Sequence, residues 1–170
     1  EDYVNVCDDL GYNKTTVYTV MMMIFSFNLL ANLDHGALPA SVTAISLEYK
    51  MKDVALGALG SLVFIGNAVG GILATAIVNK VTSRTLITVA LCVDGVGLIL
   101  FAATSNFYLM ATSRFLSGLS QTAISIYAPL WADTFAPSTS IKSVWLTLML
   151  LAPTIGVFIG YVYIGVFSHF

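Results

Sequence analysis

The chain has 170 residues, 58% of them apolar and only 9% charged, with a mean hydropathy of +0.88. Soluble domains carry about 25% charged residues, so seven Lys and Arg with nine Asp and Glu cannot coat a water-facing surface of this size, which argues against a soluble globular enzyme. A net charge of −2 with scattered basic residues leaves no electrostatic footprint for nucleic acid.

The chain opens with a polar leader, residues 1–16. Its acids Glu1, Asp2, Asp8 and Asp9 are unlike a signal or transit peptide, and a sequence starting at Glu1 reads as an excerpt from something longer. Cys7 lies in the leader and Cys92 inside an apolar run, which is no disulfide framework. A helix crossing roughly 30 Å of hydrocarbon needs about 20 mostly apolar residues, because lipid satisfies no backbone polar group. Residues 15–33 and 36–47 are uncharged but flank Asp34 and His35. This is either one long helix with a polar centre or a short span followed by a loop. Residues 54–79, 115–132 and 143–168 carry no charge, and residues 85–113 carry only Asp94, with a polar break at Thr104, Ser105 and Asn106. The resulting expectation is an all-α polytopic bundle with spans at about 17–47, 54–79, 85–104, 107–131 and 142–166. With the N-terminus in the cytoplasm, Lys14, Lys80, Arg84 and Lys142 lie inside against Lys50 and Lys52 outside, which favours that orientation. Glycosylation of the one sequon, Asn13-Lys14-Thr15, would reverse it.

Small residues recur along these spans: Gly57, Gly60, Gly66, Gly70, Gly71 and Ala74 in the second, Gly118 in the fourth, and Gly156-x-x-x-Gly160 in the fifth. Such spacing lets helices approach closely in lipid and indicates a packed bundle without indicating its task. Ionisable groups at bilayer depth are more informative, since each costs at least ~2.5 to 3.5 kcal/mol to insert and normally faces a partner or a water path. Asp34 in the first span and Arg114 in the fourth can neutralise one another. A carboxylate beside a cation stays ionised, whereas one desolvated alone favours its proton, so a movement that parts them would promote proton uptake. His35 adds a group that titrates near neutrality, or else is a packing residue. Asp94 faces no evident base. It is protonated, bonded to Asn67 or Thr75, or paired outside this stretch, and a structural role is favoured.

The arrangement resembles the first five helices of a major facilitator superfamily transporter over essentially the whole chain. Ser113-Arg114-Phe115-Leu116-Ser117-Gly118 resembles the Arg-x-x-x-Gly of helix four, Trp131-Ala132-Asp133 its acidic end, and Ala152-Pro153 with Gly156 to Gly160 the Pro- and Gly-rich helix five. The superfamily signature Gly-x-Leu-Ala-Asp-Arg-x-Gly-Arg-Arg falls on Thr75 to Arg84, where both glycines are lost, Asp is replaced by Asn79 and Arg by Lys80, and the final Arg84 is kept. Asn32-Leu33-Asp34-His35 resembles the Asn-Tyr-x-Asp-Arg of Spinster-like lipid transporters, with His35 in place of Arg. The resemblance implies proton sensing at Asp34 and Arg114, and a cytoplasmic gate of Asn79, Lys80 and Arg84 near Asp133.

These readings converge on a secondary transporter that moves a small organic or amphiphilic solute by alternating access, coupled to protons, with the C-terminal half of the transporter as its counterpart. Asn28, Asn32, His35, Asn67, Gln121, Thr122 and Tyr127 are the expected cavity groups. The rival is a transport-inactive membrane subunit packed in a larger complex, favoured by the altered signature. No enzyme motif, metal cluster or cofactor site is expected.

Overall fold

A computed structural model describes residues 11, 13–77 and 80–167, and within these all regular structure is helical. Asn13 starts the first helix, α1 (Lys14–Ala31), by accepting the Thr15 amide at 3.1 Å. The chain then runs through α2 (Leu33–Tyr49), α3 (Asp53–Ile77), α4 (Ser83–Ala103), α5 (Phe107–Phe135) and α6 (Thr139–Phe167). Asn106 caps α5 in the same manner as Asn13 caps α1, accepting from Tyr108 at 2.9 Å, while α2 stops at Lys50 in the left-handed region with φ of 50°.

The first predicted span is one rod of 36 residues, Lys14–Tyr49, broken at Asn32. The cause is local competition. Asn32 Nδ2 donates to the Asn28 carbonyl at 2.7 Å, the acceptor that a continuing helix reserves for the Asn32 amide. That amide turns instead to the Leu29 carbonyl at 3.2 Å, and the helix restarts one residue later. The break sets Asp34 and His35 at mid-depth on a fresh helical start.

Four stretches are long and apolar enough to cross a membrane: Lys14–Tyr49, Asp53–Ile77, Ser83–Ala103 and Thr139–Phe167. The fourth predicted span, α5, is as long as α6 at 29 residues but too polar to join them on composition. Its polarity is turned inward. Ser113, Arg114, Ser117, Ser120, Gln121 and Thr122 are all buried, because α5 is the helix against which α3 and α4 chiefly pack and which α1 and α6 also touch. A helix surrounded by helices needs little lipid-facing surface, so hydropathy underestimates it. The outward faces are oily elsewhere, with Ile72 and Leu150 more than 70% exposed, as lipid contact requires. The chain is an integral, multi-pass membrane protein.

Glycine sets the closest approaches. A Cβ on Gly118 would overlap the Val63 carbonyl of α3, and one on Gly160 would overlap the Leu33 carbonyl of α2. Gly66, Gly70, Gly36 and Gly156 are equally blocked by facing backbone or the Thr122 hydroxyl, whereas Gly57 and Gly71 meet nothing. Along α3 the small-residue stripe is thus a contact surface on the face turned to α5, while Gly156 and Gly160 of α6 seat the backbone of α1 and α2.

Candidate functional site

At the level of the Asn32 break, α1, α2, α3, α5 and α6 enclose a cavity of about 310 Å³. Its polar lining is Asn28, Asn32, His35, Asn67, Gln121 and Ser125, and its apolar walls include Phe64 from α3 and Pro153 from α6. The carboxamides are held in place by neighbours: Thr122 donates to Asn67 Oδ1 at 2.7 Å, and Gln121 Nε2 donates to the Ala31 carbonyl at 2.9 Å. Gln121 Oε1 meets His35 Nε2 at 2.8 Å. This lining offers both donors and acceptors and, apart from His35, no ionisable group, which suits a neutral polar solute.

About two turns along α5 from Gln121, Arg114 reaches across to Asp34 on α2, with Nη1 2.5 Å from Oδ2. The guanidinium also stacks on the Phe101 ring of α4, its Cζ 3.9 Å from the centroid, and Arg114 is only 4% exposed. Two polar atoms of this pair stay without hydrogen-bond partners although buried, Asp34 Oδ1 and Arg114 Nε. His35 Nε2 lies 3.9 Å from that Oδ1, so His35 stands between the cavity and the ion pair.

The remaining expected residues fall elsewhere. Thr122 supports Asn67 from behind without lining the cavity, and Tyr127 is buried outside it. Asp94 accepts from Ser120 at 3.3 Å, a partner outside the alternatives left open by the sequence, because α4 packs chiefly on α5. There it acts electrostatically on the Arg114 guanidinium together with Asp34. Asp133 is ion-paired with Lys142 at the start of α6, not with Arg84. The short connection between α5 and α6 brings Lys142 close, and no ion pair of Arg84 or Lys80 occurs among the described residues. Asn79 lies outside the described residues. Phe64, Phe101, Ser120 and Ser125 were not anticipated. Their signal in the sequence was weak, since an aromatic or Ser in an apolar helix looks like packing, though Phe101 one turn before the break at Thr104 faces the helix that carries the buried cation.

The family described as sugar (and other) transporter matches residues 10–170. Two hexose transporters of Saccharomyces cerevisiae, HXT13 and HXT17, are each 27% identical over 115 residues, covering 67% of this chain and 20% of the relative. The chain therefore spans about a fifth of the length of these curated relatives. No solved structure matches. The family match identifies this helix bundle as one of the major facilitator superfamily. The chain belongs to the sugar (and other) transporter family of that superfamily.

Proposed function

We propose that this chain is part of the N-terminal half of a secondary transporter that moves a small polyhydroxylated solute by alternating access, with Asp34 and Arg114 as its proton-coupling pair. The observation that carries this reading is the adjacency of a cavity lined by carboxamides to a buried, incompletely satisfied ion pair, bridged by His35. Carboxamides supply the alternating donors and acceptors that sugar hydroxyls need, and Phe64 supplies an apolar wall for a sugar face. The names of the two yeast relatives add weight to a hexose. The Spinster-like likeness of Asn32-Leu33-Asp34-His35 favours an amphiphile instead, but a cavity with six polar lining residues suits a hydroxyl-rich solute better.

In this mechanism the two halves rock about the midplane site. Closing the N-terminal end brings α1, α5 and α6 together over the apolar cluster around Trp145, and the Asp133–Lys142 pair ties α5 to α6 at that end, which is cytoplasmic by the distribution of Lys and Arg. Rocking stretches the contact between α2 and α5 that Asp34 and Arg114 span. A desolvated carboxylate parted from its cation favours its proton, so the pair converts helix movement into proton binding.

Labelled D-glucose flux into proteoliposomes containing the full-length protein tests the reading. Flux that responds to a transmembrane pH gradient in the wild type, and not in Asp34→Asn, is expected. Gradient-dependent flux retained in Asp34→Asn would remove the pair from the coupling mechanism.

A further inference from the structure

The Gln121 carboxamide is oriented by the backbone. Its Nε2 is committed to the Ala31 carbonyl at 2.9 Å, so the atom facing His35 is Oε1, at 2.8 Å from Nε2. A carboxamide oxygen only accepts, and His35 Nε2 therefore carries a proton whether the ring is neutral or charged. A second acceptor waits nearby. Asp34 Oδ1 is buried with no hydrogen-bond partner, and at 3.9 Å from the same Nε2 it is beyond hydrogen-bond reach. Its sister Oδ2 is taken by Arg114. One N–H thus stands between a neutral acceptor that holds it and a carboxylate oxygen that would bind it more strongly. Both Gln121 and His35 line the cavity.

We propose that His35 is a donor switch between cavity and ion pair: a solute hydroxyl that takes the place of the His35 Nε2–H at Gln121 Oε1 frees that N–H to turn to Asp34 Oδ1. The inference rests on the transport reading above and gives it a sign. A second donor on Asp34 stabilises its ionised form, so occupancy of the cavity opposes proton binding at Asp34, and by linkage a proton at Asp34 weakens solute binding by the same factor. The cycle is an exchange of solute against protons. The charged groups facing the switch are Asp34 on its own helix, Arg114 from α5, and Asp94 from α4, which acts electrostatically on both Asp34 and Arg114 and interacts with the Gln121 side chain. From α3 it meets Phe64, whose ring centroid is 5.9 Å away, and Asn67; α6 presents Pro153 and Val157. None of these four ionises.

The test needs no ligand. In the full-length protein in lipid nanodiscs, the infrared band of the protonated Asp34 carboxyl, assigned by its loss in Asp34→Asn, is titrated against pH. Gln121→Leu removes the competing acceptor, and the half-loss point should fall by about one pH unit, a tenfold drop in proton affinity. Adding His35→Leu to that variant should restore the wild-type midpoint. Gln121→Ala gives the same comparison if Leu disturbs assembly. An unmoved midpoint in both Gln121 variants, or a fall that persists without His35, would overturn the switch. Wild-type D-glucose flux is measured in parallel. Flux without the infrared shift refutes the switch alone, and the shift without flux refutes glucose transport alone.

Discussion

Helices α1, α5 and α6 take part in two contrasting regions. Near the start of α1, Val17 and Met21 meet Ala128, Ala132 and Ala136 of the α5 end and Trp145 and Met149 of α6 in a dry cluster, with Tyr18 edge-on to Trp145 at 5.4 Å. Two to three turns away along α1 and α5 lies the carboxamide cavity, with the ion pair beyond it. The first region is held by shape: small alanines on α5 receive large side chains from α1 and α6, and dispersion is the main attraction available in lipid. The second is held by matched donors and acceptors, and the match is incomplete at Asp34 Oδ1 and Arg114 Nε. A region specified by shape tolerates exchange of equivalent volumes. One specified by hydrogen bonds fails when a single partner is removed, and only this second kind can change state when a proton or a solute arrives.

Arg114→Met should break the contrast most sharply. It leaves Asp34 buried without its cation, an arrangement that costs about 3 to 5 kcal/mol, read as loss of thermal stability in detergent. Asp34→Asn combined with Arg114→Met should recover most of that loss, since an uncharged pair leaves no buried ion. No recovery would show that Arg114 stabilises the bundle through packing. In the dry cluster Met149→Ala should cost about 2 to 5 kcal/mol by opening a cavity, whereas Met149→Leu should cost under about 1.5 kcal/mol. Thr122→Val keeps volume but removes the donor to Asn67 and should cost about 1 kcal/mol. It should also weaken solute affinity more than stability, as the Asn67 carboxamide loses its fixed orientation.

The ease with which each region could be read follows the same division. Asp34 and Arg114 stood out because charge in an apolar run has few physical excuses, and their meeting required only that the first and fourth spans adjoin. Asp94 stood out equally, yet its partner could not be read, because the sequence does not say whether α4 packs on α3 or on α5. The break at Asn32 was visible only as a choice between helix and loop. What settles it is the side chain of Asn32 outcompeting its own amide for the Asn28 carbonyl, a contest between two donors of one residue. The exchange of Arg84 for Lys142 as partner of Asp133 has a similar origin, in the short turn between α5 and α6. The dry cluster left no trace as a pattern, since Val, Met, Ala and Trp occur all along these helices and only their relative heights bring them together.

Phe101 offers the finest probe. It belongs to a helix with many exposed apolar side chains, Val96 and Ile99 among them, yet its ring lies under the Arg114 guanidinium, where a cation–π contact in a desolvated setting is worth about 0.5 to 2 kcal/mol. The ring is also a surface on which the cation rests, so it positions Arg114 as well as stabilising it. Phe101→Leu keeps the apolar bulk and removes the quadrupole; it should lower thermal stability by about 1 kcal/mol. Proton coupling should suffer in proportion, seen as a smaller response of flux to the pH gradient at unchanged solute affinity. If Phe101→Leu instead weakens affinity and leaves the gradient response intact, the ring serves the cavity, and the boundary between the solute site and the ion pair lies closer to α4 than His35 suggests.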